Sequence, residues 1–342
     1  MGITLVNATS LASRGGLTIL NQYINSLIDN NDIDEKYFLF VPETCSVPDT
    51  ETNIVIIKNN DNDFYKGKSF WNTIGLYLWC KKYDIKADCI YSLQNYYPLG
   101  FSGKGIYKKL YLHQPIPFYD YTWNVFNKRE RSLWFYKYIY YWLIKKSVKE
   151  SDEIIVQTSW LKSSLVKKIG INADIIFVDR PVISNIDTTV VQKINLDEGY
   201  KLFYPASSAI YKNHELLYDM MNVLVNNRKC NDVILYLTID SEDYEAINYI
   251  KKYNLFKNIK LLGNISYEEV LRYYNSVDML VFPSKIETFG LPLVEAQQFN
   301  LPIVAGDIDL YREVIGEYKN KVSYCDLDNF LEWAQIIEEV KR

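Results

Sequence analysis

Short apolar runs of strand length alternate with longer stretches of helical period along nearly all of this 342-residue chain. Few architectures accept that alternation. A chain that returns to a strand after each helix crosses back over a sheet every time, which produces parallel sheets covered by helices. In the first half, strands are predicted at 3–6, 37–41, 53–57, 89–92, 109–112, 153–156 and 175–178, with helices at 16–28, 69–82, 131–149 and 159–168. In the second half, strands are predicted at 201–204, 233–238, 259–262, 278–282, 303–305 and 322–324. The helices there fall at 213–226, 244–253, 267–274, 293–299 and 328–340. Ser266-Tyr-Glu-Glu269 is a capping box and marks one of these helix starts.

The alternation breaks between Asp179 and Tyr200, where Pro181, Asp187, Thr188, Thr189 and Gly199 lie in a polar stretch with neither period. This is the expected linker, and the length suits two domains that each bury a core. The expected division is residues 1–180 and residues 181–342, with the C-terminal helix able to pack back on the first domain.

A net charge of −4 argues against general nucleic-acid binding, but the charge is uneven. Residues 101–149 hold ten Lys/Arg and only two acids, Asp120 and Glu130, so the remainder carries −12. Seven Trp, 30 Tyr and 15 Phe are an unusual aromatic load that suits stacking on sugars and bases as well as a membrane interface. The five cysteines are scattered without a Cys-x-x-Cys pair, and the two histidines, His113 and His214, build no zinc-ligand spacing. Free thiols, an N-terminus that enters a strand directly, and no apolar run of about 18 residues point to a cytoplasmic protein.

Two carboxylates, Glu287 and Glu295, stand with seven residues between them in Pro283-Ser-Lys-Ile-Glu-Thr-Phe-Gly-Leu-Pro-Leu-Val-Glu-Ala296. A strand precedes them and a helical pattern follows, so Glu287 belongs to a strand-to-helix loop and Glu295 to the helix, with Pro292 suited to its first turn. Gly290 lets the backbone approach a ligand, and the free N–H groups of a helix start favour an anion.

Glu-x7-Glu with an internal Phe-Gly-Leu-Pro resembles the signature of the retaining, family-4 type (group 1) glycosyltransferases of the GT-B fold, whose two Rossmann-like domains face each other across a cleft. The resemblance implies an N-terminal acceptor-binding domain and a C-terminal nucleotide-sugar domain. It assigns Glu287 to the donor sugar, Thr288, Phe289, Gly290 and Leu291 to the sugar and diphosphate, and Glu295 to the ribose hydroxyls. Gly15-Gly16, after the first strand, match the family's glycine-rich loop. Lys212-Asn213 match the lysine of the diphosphate site, whereas Ser207 and Ser208 stand where the family has an Arg, leaving more of the diphosphate charge to Lys212 and helix dipoles. His113, at a strand end before Gln114-Pro115, matches a histidine near the sugar and β-phosphate; His214 is expected to be structural or peripheral. Gly263-Asn264-Ile265 resemble the loop lining the base pocket.

Three Asp-x-Asp triplets, Asp32/Asp34, Asp61/Asp63 and Asp307/Asp309, are better explained by turns and caps than by a metal, so no metal or other cofactor is expected. The run 123–149 mixes aromatic and basic residues that do not segregate cleanly; it reads either as a core helix with a basic edge or as an element that meets anionic headgroups. The implied activity is retaining transfer of a sugar from a UDP- or GDP-sugar to a glycan acceptor on a lipid carrier, in bacterial surface polysaccharide synthesis, at the inner face of the plasma membrane. A sugar-nucleotide epimerase and a non-catalytic sugar-nucleotide-binding subunit are the alternatives.

Overall fold

The structure, a computed structural model, describes residues 2–12, 14–29, 34–46, 53–183 and 185–341. They form two compact units divided between Val182 and Ile183. The first holds a seven-stranded sheet: β1 (Gly2–Asn7), β2 (Glu35–Val41), β3 (Ile54–Lys58), β4 (Cys89–Ser92), β5 (Tyr107–Leu112), β6 (Glu153–Val156) and β7 (Ile176–Val178). The second holds a six-stranded sheet: β8 (Tyr200–Tyr204), β9 (Val233–Leu237), β10 (Ile259–Leu261), β11 (Met279–Phe282), β12 (Ile303–Gly306) and β13 (Val322–Cys325). All pairings are parallel, in the orders β3-β2-β1-β4-β5-β6-β7 and β10-β9-β8-β11-β12-β13.

The residue pattern explains why these strands sit inside. Every residue of β9, β11 and β12 is buried, as expected of strands covered by helices on both faces. In the first unit the core forms two clusters, and neighbours along a strand alternate between them. Leu5, Phe40 and Ile90 join Trp71 and Trp79 in one cluster, whereas Val6, Leu39, Val41 and Tyr91 join Leu20 and Ile24 in the other. This is the two-residue strand period dividing one sheet's side chains between two helix layers.

The helix at 131–149 is broken internally. Its segments Arg131–Phe135 and Tyr141–Lys149 flank a π-helical turn at Tyr136–Tyr140, and similar turns occur at Trp71–Gly75 and Val223–Asn227. The C-terminal helix, Phe330–Lys341, packs on the helix His214–Asn222 and on β12 and β13 of its own unit. Among the described residues no helix is long and apolar enough to cross a membrane. The five cysteines are free thiols, three of them buried.

Candidate active site in the second unit

Strand order reverses at the β8–β11 pair: β9 and β10 lie to one side, β12 and β13 to the other. Loops leaving the carboxyl ends of such neighbours diverge and leave a crevice, where open parallel sheets bind ligands. Lys212 ends the loop after β8, and Glu287 lies on the loop after β11. Their side chains meet, Lys212 Nζ to Glu287 Oε1 at 2.5 Å, with 16% and 14% of each side chain exposed.

The supporting bonds explain the fixed geometry. The Tyr204 hydroxyl donates to the Lys212 carbonyl (3.0 Å), the Lys285 N–H donates to the Tyr211 carbonyl (2.7 Å), and the Tyr311 hydroxyl donates to the Ser284 carbonyl (2.7 Å). Asn213, left-handed at φ 59°, turns the first loop into its helix, and its side-chain amide donates to the Leu327 carbonyl at 2.9 Å.

Downstream of Glu287 the turn runs as the sequence expects. Thr288 is half-buried, Phe289 is buried, and Gly290 adopts φ 92° immediately before the helix Leu291–Gln298. A Cβ at Gly290 would stand 3.1 Å from Leu293 Cδ1, so both conformation and space call for glycine. Leu291 is exposed at the first helical position, where backbone N–H groups lack helical partners.

Glu295 is more enclosed than its expected role requires. It is buried, and its two carboxylate oxygens each accept a tyrosine hydroxyl: Oε1 from Tyr267 at 3.1 Å and Oε2 from Tyr274 at 3.0 Å. Burial raises its carboxyl above the ordinary value of 4.5, and the two tyrosine donors oppose that rise. Each oxygen keeps a second lone pair that can accept a further hydroxyl donor. Neither tyrosine follows from a spacing rule. Tyr267 comes next to the capping residue Ser266, just past the 263–265 loop, and that adjacency is its only signal. In that loop Asn264 is exposed, Ile265 is half-buried, and Gly263 donates to the Ile239 carbonyl.

Ser207 is exposed, and its carbonyl accepts from His214 Nε2 at 2.8 Å. Burial lowers the His214 pKa to about 4. The Asp307/Asp309 triplet is explained by an ion pair from Arg312 to Asp307 and by Asp309 opening the helix Asp309–Ile315. Asp61 ends a short 3-10 turn, and Asp32 lies outside the described residues. Among the described residues no group of three His, Cys, Asp or Glu side chains is arranged to hold a metal ion.

The remaining expected residues belong to the first unit. Gly15 and Gly16 lie in the first turn of the helix Arg14–Asp29 rather than in the loop before it. A Cβ at Gly16 would come within 3.1 Å of Leu11 Cα, so its close approach is to the chain's own backbone. His113 follows β5. The Asn95 side chain, which sequence reading missed, accepts the His113 backbone N–H at 2.7 Å and places its amide nitrogen 3.4 Å from Nε2. An amide N–H directed at Nε2 makes that nitrogen the acceptor and leaves the ring proton on Nδ1, which is buried without a partner. Burial, and then the Lys68 ammonium, hold the His113 pKa down to about 4.

Residues 187–340 match the family model of glycosyl transferases group 1. The second unit belongs to that family. The chain is 25% identical over 212 residues to the O-antigen chain mannosyltransferase RfbU of Salmonella typhimurium, a match covering 60% of this chain and 56% of that protein. The chain thus spans little more than half of that relative. Solved structures that match nearly the whole chain include sucrose-phosphate synthase from Thermosynechococcus elongatus (TM-score 0.68, 15% identity, 99% of this chain and 90% of that one) and Anabaena HepE with UDP-glucose (TM-score 0.64, 12% identity, 99% and 89%). At such identities they show the fold, which is GT-B.

Proposed function

We propose that this protein moves a sugar from a nucleotide-sugar donor to a glycan acceptor with retention of anomeric configuration. The observation that carries the reading is the Lys212–Glu287 pair at the strand-order reversal of a group 1 domain, with the tyrosine-held Glu295 on the following helix. The donor's anomeric C–O bond to the diphosphate breaks through an oxocarbenium-like state. The acceptor oxygen forms its bond on the same face, and the departing phosphate oxygen takes the acceptor's proton. Lys212, with the N–H groups before Leu291, meets the negative charge that grows on the diphosphate. Glu287 positions the sugar and offsets its positive charge. Glu295 accepts from the ribose.

The donor is a UDP- or GDP-hexose, a reading supported by the structural neighbour HepE, whose structure is in complex with UDP-glucose. The acceptor is a growing bacterial surface polysaccharide on a lipid carrier, as the O-antigen name of RfbU suggests. Work on such an acceptor calls for a cytoplasmic protein peripheral to the inner face of the plasma membrane. The test is a panel of UDP- and GDP-hexoses, with released nucleoside diphosphate measured and the product linkage read by NMR. An α-linked product from an α-linked donor supports retention; a β-linked product overturns it. Tight nucleotide binding without turnover of any donor would favour the non-catalytic alternative.

A further inference from the structure

The helix at 131–149 is fastened to its unit by Leu133, Tyr140, Ile144 and Val148, all buried. Its other face is open and apolar. Phe135, Tyr138, Ile139 and Trp142 are 45%, 43%, 48% and 60% exposed, and Phe126, in the turn ahead of the helix, is 89% exposed. Large apolar side chains gathered on one exposed helix face are a surface with something to cover. The flanks are cationic. Lys128, Arg129 and Arg131 are exposed at one end and Lys149 at the other, Lys146 lies 5.8 Å from the Trp142 ring centroid, and residues 131–149 contain no Asp or Glu.

We propose that this face docks the protein on an anionic lipid surface. The helix lies flat, Phe135, Ile139 and Trp142 enter the headgroup–acyl boundary, Tyr138 stays at headgroup level, and the cations at both ends meet lipid phosphates. An apolar stripe framed by Lys and Arg is the pattern of a helix that lies in the interface plane, and Trp and Tyr settle at that depth because one end of each ring is polar. A second copy of this chain is a poorer occupant. A two-fold contact sets each patch against itself, and here that would bring cation against cation with no carboxylate on the helix to answer. The structure also removes one cation from the docking set. Lys137 Nζ donates to the Pro117 and Tyr119 carbonyls, so it is spent inside the fold. The lipid-linked acceptor proposed above would gain access from this docking, and only that benefit rests on the transferase reading.

The experiment is co-flotation of the full-length chain with vesicles of phosphatidylcholine alone and with about one-third phosphatidylglycerol. Binding is expected only with the anionic lipid and is expected to weaken at high salt, because screening shortens the electrostatic reach from about 8 Å. The triple variant Phe135→Ser, Ile139→Ser, Trp142→Ser and, separately, Lys128→Gln, Arg129→Gln, Arg131→Gln are each expected to lower vesicle affinity about tenfold or more. Lys137→Gln is expected to lower it no further than a neutral surface control. Quenching by brominated acyl chains, lost in Trp142→Phe, reports insertion. Nucleoside diphosphate binding serves as the folding control for every variant. Wild-type chain that ignores anionic vesicles, or a triple variant that binds as wild type does, overturns the proposal. Self-association abolished by the triple variant, without vesicle binding, assigns the face to a second copy and overturns it too. Failure of sugar transfer alongside intact vesicle binding counts against the transferase reading alone.

Discussion

Lys212 and Glu287 neutralise each other while most of both side chains is out of water, so a bound donor must either share this pair or part it. Glu287 faces the sugar in this scheme and acts as charge develops. Glu287→Gln is therefore expected to lower kcat strongly, with little change in affinity for the bare nucleoside diphosphate, which has no sugar to position. Glu295 belongs to ground-state binding as well. Removing an acceptor that binds as an anion costs about 1.5–3 kcal/mol, so Glu295→Ala is expected to weaken nucleotide binding by about ten- to a hundredfold by calorimetry. Burial adds a pH signature. Because the folded carboxyl titrates above 4.5, the folded form holds a proton that the unfolded chain has already lost; this group's contribution to stability is full below 4.5 and is lost as pH rises through the folded value. Nucleotide affinity runs the other way, rising as the carboxylate forms. Tyr274→Phe removes a donor that stabilises the carboxylate while keeping the ring, and is expected to move the inflection of affinity to higher pH. An unchanged inflection would argue that the tyrosine hydroxyl does not hold this carboxylate.

Gly290 shows how a single residue shapes an element. Alanine there would sit at φ 92° and press against Leu293, so Gly290→Ala is expected to cost about 1–2 kcal/mol in denaturant unfolding and to weaken nucleotide binding by displacing the start of the helix Leu291–Gln298. Equal stability and affinity would show that this turn has slack. The turn was legible in the sequence because glycine, proline and a strand-to-helix change mark it together. The strands were legible for a similar reason: Cys89–Ser92 and Glu153–Val156 are short apolar runs bounded by polar residues, and burial on both sides leaves little choice. The π-helical turns were not legible. A π turn inserts a residue into a helical period without changing composition, so the helix at 131–149 reads as aromatic on every side, whereas the folded helix buries Leu133 and Tyr140 and leaves Phe135, Tyr138, Ile139 and Trp142 open. Side-chain partners were also beyond reach. Tyr267 and Tyr274 reach Glu295, and Asn95 reaches His113, across contacts that only the folded sheet order creates.

At the scale of the whole molecule, charge is divided rather than spread: residues 101–149 carry an excess of +8 in a chain whose net charge is −4. On the proposed reading, the second unit answers a nucleoside diphosphate from within an acidic remainder, with few groups. Lys212 stands at the strand-order reversal in its pair with Glu287, Gly290 leads into a helix whose N-terminal dipole faces outward from that turn, and Asp307 is paired with Arg312. A charge set of this kind can hold a diphosphate without a divalent ion, each helix start adding about 0.3–1 kcal/mol beside the lysine. The expected outcome is that sugar transfer survives EDTA. Thermal unfolding supplies a second readout independent of turnover: nucleoside diphosphate at about a hundred times its Kd stabilises the state it binds by about 2.7 kcal/mol, and that increment is expected to be the same with and without chelator. Lys212→Met should remove most of it in either condition, because the cation is lost while much of the side-chain length remains. If EDTA abolishes both transfer and the stabilising increment, and Mn²⁺ or Mg²⁺ restores them, the diphosphate is held through a metal and Lys212 has a different task.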